Sequence, residues 1–274
     1  MTNDSLDALL PAEMAHKAEQ VGVVKANLPL RRLVPLGILA GAFIALGANF
    51  ATVVTATGGA PTGATRLLGG VVFSLGLILV VVSGAELFTG NTLIVIAFAG
   101  RKVAAVKLLR NWLVVYISNF VGAIATAALV VWSGQLKAGG GTIGARAQAI
   151  AETKGSLEFG QAIASAVLAN CLVCLAVWMT LSARTLVDKV VVIVPPIAAF
   201  VAAGFEHSVA NMYFFPAALL HDAWDSPPTA DATHVTWKHF LVDNLVPVTI
   251  GNIVGGAVLV GLVYWFVYLR VQRP

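Results

Sequence analysis

Charge is what this chain has least of. Asp, Glu, Lys and Arg make up 11% of its 274 residues, where a soluble domain carries about 25%, and the shortage excludes a water-soluble globular protein. Cysteine is nearly absent. Cys171 and Cys174 sit together in an apolar run, so there is no secreted disulfide framework. Their Cys-x-x-Cys spacing marks metal or redox chemistry in other settings. With no basic neighbour and no further ligand they read as buried hydrophobes here. Of the five histidines only His207 falls inside an apolar stretch, too few intramembrane ligands for a haem or metal enzyme, and no cofactor is expected. Residues 1–32 hold no apolar run behind a basic start, so no cleaved signal is expected either.

What fills the chain instead is hydrocarbon: 58% hydrophobic residues and a mean hydropathy of +0.88. Six apolar stretches, at about 33–57, 67–99, 111–133, 157–181, 190–220 and 240–269, indicate an all-α membrane protein of six crossings, each needing roughly 20 residues. The second and fifth are too long for one straight crossing. Gly84 and Thr89-Gly90-Asn91 interrupt one; Pro195-Pro196, residues 204–211 and Pro216 interrupt the other. Both read as broken helices, because irregular backbone at membrane depth survives only when it lines a cavity or is packed in protein. A polar, Gly-rich segment separates the third and fourth spans at 134–154.

Ahead of the spans, Leu6, Leu9, Leu10, Met14 and Ala18 recur at helical spacing, with Asp4, Asp7, Glu13, Lys17 and Glu19 between them. Such a segment suits a membrane face or the protein's own surface. The expected organisation is this cytoplasmic segment (1–32), a transmembrane domain (33–270) and a cytoplasmic tail (271–274). Twelve of the 17 Lys and Arg fall on the side shared by both termini; the other side takes Arg66, Lys137, Arg146, Lys154 and Lys238. That imbalance puts both termini in the cytoplasm, and it explains the net charge of +4 without a nucleic-acid partner.

Residues 84–91, Gly-Ala-Glu-Leu-Phe-Thr-Gly-Asn, and 204–211, Gly-Phe-Glu-His-Ser-Val-Ala-Asn, share Gly-x-Glu-x-x-x-x-Asn at an offset of 120. Matched polar interruptions in two halves of a membrane protein point to a transport site. Ala48-Asn49 pairs with Ala169-Asn170 at an offset of 121, and residues 119–123 pair with 252–256 at 133. Three spans per half is an odd number, so the halves, 33–133 and 157–270, are expected as inverted repeats around one cavity. That is an aquaporin-like plan, by analogy. The paired Asn-Pro-Ala motifs of that class are absent, which counts against a neutral-solute channel.

The candidate site residues cluster at the two breaks. His207 follows Glu206 at one of them. An imidazole titrates near neutrality, so His207 is expected to donate a proton to a weak-acid anion or to select it; the plainer alternative is a satisfied core histidine. Thr89 and Asn252 offer hydroxyl and amide donors to the same solute, or else make capping bonds, and Asn170 is placed on the same pathway with Glu206. Bare charges in hydrocarbon are costly. Glu86 and Glu206 are therefore expected to accept bonds from freed backbone amides, bracing the breaks with Gly84, Gly90, Asn91, Gly204 and Asn211. Lys154 either draws anions into a vestibule or anchors at the interface. Leu87, Phe88 and Phe200 form apolar constrictions or plain core.

At these residues the chain resembles the formate–nitrite transporter family, most closely its formate-channel branch. The stretches that carry the resemblance are 84–93 (GAELFTGNTL), 168–179 (LANCLVCLAVWM), 204–212 (GFEHSVANM) and 243–256 (DNLVPVTIGNIVGG), with 9–15 (LLPAEMA) near the start. The resemblance implies a homopentamer with one pore per subunit in the lipid bilayer, passing small monovalent anions: formate, nitrite, acetate-like acids or hydrosulfide. It places the family's central histidine on His207, its pore threonine on Thr89, its asparagine on Asn252, its vestibule lysine on Lys154 and its constriction on Leu87 and Phe200. It also lends residues 1–32 a gating role. Gly90-Asn91 after Thr89 is the pattern of many nitrite-type members, while the remaining motifs lean to formate. The expected protein is a pH-dependent channel or proton-coupled transporter, not an enzyme, in a bacterial inner membrane.

Overall fold

The computed structural model describes residues 8–225 and 235–270. Leu6, Asp4, Asp7, part of the polar loop after the fifth span and the 271–274 tail lie outside the described residues. Within them the protein is helical: α1 Pro11–Ala26, α2 Leu30–Val54, α3 Gly63–Ser83, α4 Phe88–Ala99, α5 Ala105–Trp132, α6 Thr142–Gly155, α7 Phe159–Ser182, α8 Leu186–Ala203, α9 Ser208–Asp225 and α10 His239–Arg270. Six of these, α2, α3, α5, α7, α8 and α10, are long and apolar enough to cross a membrane.

Helix ends obey local chemistry. The Thr62 hydroxyl caps α3 by accepting from the Thr65 N–H at 3.3 Å, and Thr185 and Asp188 cap α8 reciprocally. α3 and α8 stop alike. Gly84 (φ +73°) and Gly204 (φ +78°) take left-handed backbone that would strain a side chain. The next amides then fold back, Ala85 N–H to Val80 O at 2.9 Å and Phe205 N–H to Phe200 O at 3.0 Å, closing a Schellman end. Residues 85–87 and 205–207 are non-helical and lead into α4 and α9. The second and fifth apolar stretches are therefore broken helices.

The polar, Gly-rich segment 134–154 contains a helix: α6 occupies 142–155 and buries Gly144, Ala147 and Ala151. Its buried residues are small and polar residues stand between them, so hydropathy hides it while alanine favours the helix. In α1 the buried face carries Met14, Ala15, Ala18, Gly22 and Ala26. Met14, Ala15 and Ala18 pack with Leu93, Ile96, Trp178 and Leu269, so α1 lies on the protein itself. Leu10 is 68% exposed, because it precedes the first helical residue and points away from that face. Lys17 Nζ donates to Leu181 O at 2.6 Å, fastening α1 to the end of α7.

Close backbone contact joins α2 to α5 and α7 to α10. A methyl group on Gly122 would lie 2.0 Å from Ile38 O, and one on Gly255 would lie 2.2 Å from Val167 O. Small residues let membrane helices approach this closely.

Candidate functional site

Each break is held by one acid, one lysine and three asparagines, and most bonds of one set recur in the other; among the described residues, Lys25 Nζ to Asn91 Oδ1 at 3.2 Å and Asn244 Nδ2 to Glu206 Oε2 at 3.1 Å have no counterpart. Lys25 Nζ donates to Glu86 Oε1 at 2.8 Å, and Lys154 Nζ to Glu206 Oε1 at 2.7 Å. Asn91 Nδ2 donates to Glu86 Oε2 at 2.7 Å and to Asn111 Oδ1 at 2.9 Å. Asn211 Nδ2 does the same to Glu206 Oε2 and Asn244 Oδ1, both at 2.7 Å. Asn111 and Asn244 donate to the carbonyls of Lys25 and Lys154, each at 3.0 Å. The third asparagine caps the next helix. Asn119 Oδ1 accepts the Phe88 N–H and Asn252 Oδ1 the Ser208 N–H, both at 2.9 Å.

This corrects the expected bracing. The carboxylates of Glu86 and Glu206 accept from lysine and asparagine side chains, while the freed amides are taken by Asn119 and Asn252. A buried carboxylate stripped of its cation costs several kcal/mol, which is why an acid at this depth brings its own lysine. Lys25, Asn111 and Asn244 escape a reading of the apolar runs, yet spacing finds them. Lys25 precedes Lys154 by 129 positions, as Ile38 precedes Val167, and Asn111 precedes Asn244 by the same 133 that separates Asn119 from Asn252. In that register Asn170 corresponds to Gly41, not to Asn49. Asn49 instead donates to Gln135 and accepts from Tyr213.

A hydrogen bond joins the two breaks directly. His207 Nε2 lies 2.9 Å from Thr89 Oγ1, and both residues are buried. The Ala210 N–H donates to His207 Nδ1 at 3.0 Å, so the neutral imidazole carries its hydrogen on Nε2 and donates it to Thr89. The Thr89 O–H then remains available to a further acceptor. The Thr89 carbonyl collects Thr92 Oγ1 at 2.6 Å, Asn170 Nδ2 at 3.3 Å and Cys174 Sγ at 3.4 Å.

Asn252 spends both amide hydrogens on Ala166 O and Glu206 O, which makes it a cap with no donor left for a solute. Asn170 likewise donates to Asn252 O at 2.6 Å and holds the backbone behind Thr89. Gly90 lies within the first turn of α4, where a methyl group would meet only Val177 at 3.6 Å, so the break does not depend on it. Phe200 stacks on His207 with centroids 5.8 Å apart and sets its ring edge-to-face with Phe73. Leu87 is buried just ahead of α4. Phe88 packs edge-on against Tyr116 at 4.8 Å, a core role.

His207 and Phe200 line a cavity of about 850 Å³ shared by α6, the loop before α3 and the α8–α9 break, with Arg66, Arg146, Lys154 and Glu206 also in its wall. Lys154 is no interfacial anchor: its side chain is 13% exposed and lies 5.5 Å from the centroid of the Phe214 ring. Its charge is matched by Glu206. The unmatched cations are Arg66 and Arg146, which in the sequence alone look like ordinary loop charges. Burial and the neighbouring Arg66 charge hold Arg146 below the ordinary guanidinium range. Among the described residues no three His, Cys, Asp or Glu side chains converge. Both cysteines are free thiols.

Six candidate crossings, two of them continued past a break, and a central polar contact define an integral helical membrane protein of broken-helix design. The chain belongs to the formate/nitrite transporter family, whose model matches residues 12–266. Formate channel FocA of Escherichia coli (strain K12) is 45% identical over 98% of this chain and 97% of its own length. Formate channel FocA of Haemophilus influenzae is 42% identical over 93% of each. A probable formate transporter of Methanothermobacter thermautotrophicus is 39% identical over 95% of this chain and 97% of that one. A solved pentameric formate channel with formate bound superposes with a TM-score of 0.80 at 42% identity, covering 88% of this chain and 98% of that one.

Proposed function

We propose that the protein is a formate channel of the inner membrane, assembled as a homopentamer with a pore through each protomer. The Thr89–His207 hydrogen bond between the two broken helices, beside a cationic cavity, is the observation that carries this reading. The names of the relatives supply formate, and the pentameric relative supplies the assembly. Exposed leucine, valine and tryptophan side chains on α2, α5 and α10 suit lipid and neighbouring protomers. The recurrence of the acid, lysine and three asparagines at both breaks, with most of their bonds, supports an inverted repeat. The Lys and Arg distribution supports cytoplasmic termini, which makes the cavity beside His207 the outer vestibule.

An anion entering from that vestibule exchanges the His207–Thr89 bond for two of its own, one from His207 Nε2–H and one from the Thr89 O–H. His207 thus works first as a hydrogen-bond donor that selects an anion. Becoming imidazolium requires Nδ1 to release the Ala210 N–H, so protonation of the solute is coupled to breaking that bond. The positive lining disfavours a neutral-solute channel. Competitive flux of formate, nitrite and hydrosulfide through reconstituted protein at two pH values tests the proposal. Formate flux well above that of protein-free vesicles and exceeding the other two is expected; nitrite or hydrosulfide outrunning formate would reassign the substrate.

A further inference from the structure

The Glu206–Lys154 pair leaves the cavity with two positive charges that nothing in its wall balances. Arg66 and Arg146 both line it, and among the described residues neither makes a salt bridge. Arg66 is exposed and Arg146 half-buried on this one wall, where their like charges repel. An anion between them relieves that repulsion and gains from the local positive potential.

Their geometry is prepared for one. Thr55 Oγ1 donates to Ala51 O at 2.7 Å and accepts from Arg146 Nε at 3.1 Å. This fixes the guanidinium from behind and leaves its two terminal nitrogens to another acceptor. Arg66 reaches the α8–α9 break, where a methyl group on Gly204 would lie 3.0 Å from its Nη2. The missing side chain at Gly204 therefore gives Arg66 its place one step from Phe205, Glu206 and His207. A guanidinium offers paired donors matched to two oxygens of one anion. Two of them on one wall suit an oxyanion of higher charge than formate.

We infer that Arg66 and Arg146 form an oxyanion-capture site at the mouth of the pore, which loads formate and also holds sulfate or phosphate. The stacked Phe200 and His207 rings close the way onward to these larger anions, so they occupy the site without passing. The site rests on the transport reading only in being called a mouth; binding itself does not depend on it.

The test uses the full protein and inorganic sulfate, with ionic strength matched by chloride. In detergent, sulfate raises the Tm of the wild type and not that of Arg66→Gln/Arg146→Gln. In proteoliposomes, sulfate on the vestibule side raises the KM for formate at unchanged maximal rate. In the double variant that inhibition is lost and the KM without sulfate rises about 3- to 10-fold, the scale of losing steering charge at a low-dielectric cleft. Sulfate inhibition and formate KM unchanged in the folded double variant would overturn the site, as would a wild-type Tm indifferent to sulfate. A wild type that binds sulfate but carries no formate would instead defeat the transport reading alone.

Discussion

His207 presents Nε2–H to Thr89 because the Ala210 amide already occupies Nδ1. The tautomer is therefore set by backbone, and ¹⁵N NMR of the protein labelled at histidine is expected to show His207 neutral with Nδ1 unprotonated at pH 7. A resonance of protonated Nδ1 would contradict it. Thr89→Val leaves the buried Nε2–H without an acceptor, a cost of about 1–3 kcal/mol. Thr89→Ser restores the acceptor, so thermal unfolding in detergent should show a loss for Val that Ser largely recovers. Both residues were legible in the sequence because a lone histidine and a threonine beside a helix break are rare in apolar runs. The role of Asn252 was not legible, since an amide that caps a helix and one that contacts a solute look alike until its partners are seen.

The two braces explain why each break persists. Lys154→Met strands Glu206, whose side chain is 1% exposed, at a cost of about 3–5 kcal/mol. The double variant Lys154→Met/Glu206→Gln removes the orphaned charge and should recover most of the lost Tm. Lys25→Met should cost less than Lys154→Met, because the Lys25 side chain is 29% exposed and water reaches that pair. Equal losses at both lysines would contradict the ranking. Gly255→Ala drives a methyl group against Val167 O, and overpacking of this kind costs about 1–3 kcal/mol; thermal unfolding checks it beside Gly122→Ala. The repeated glutamate motif revealed the breaks from sequence alone. It could not reveal Lys25 or α6, because both lie outside the six apolar stretches.

At the scale of the molecule, the broken helices, α1 and the vestibule form one path only if the protomer is itself the pore. Native mass spectrometry is expected to give five copies of the chain, the assembly of the solved pentameric formate channel that it resembles; a stable monomer would count against the assembly. The six crossings were legible because hydropathy reports membrane spans directly. The register of the two halves was not, because Ala and Asn recur too often in these spans to fix an offset, and only the hydrogen bonds separated 129 from 121. The central claim is that formate passes each protomer at the Thr89–His207 contact. Formate uptake into proteoliposomes by wild type and His207→Phe tests it most directly. The expected result is rapid uptake by the wild type and a loss of at least tenfold in the variant, about 1.4 kcal/mol or more on the barrier; equal uptake by a folded His207→Phe protein would contradict it.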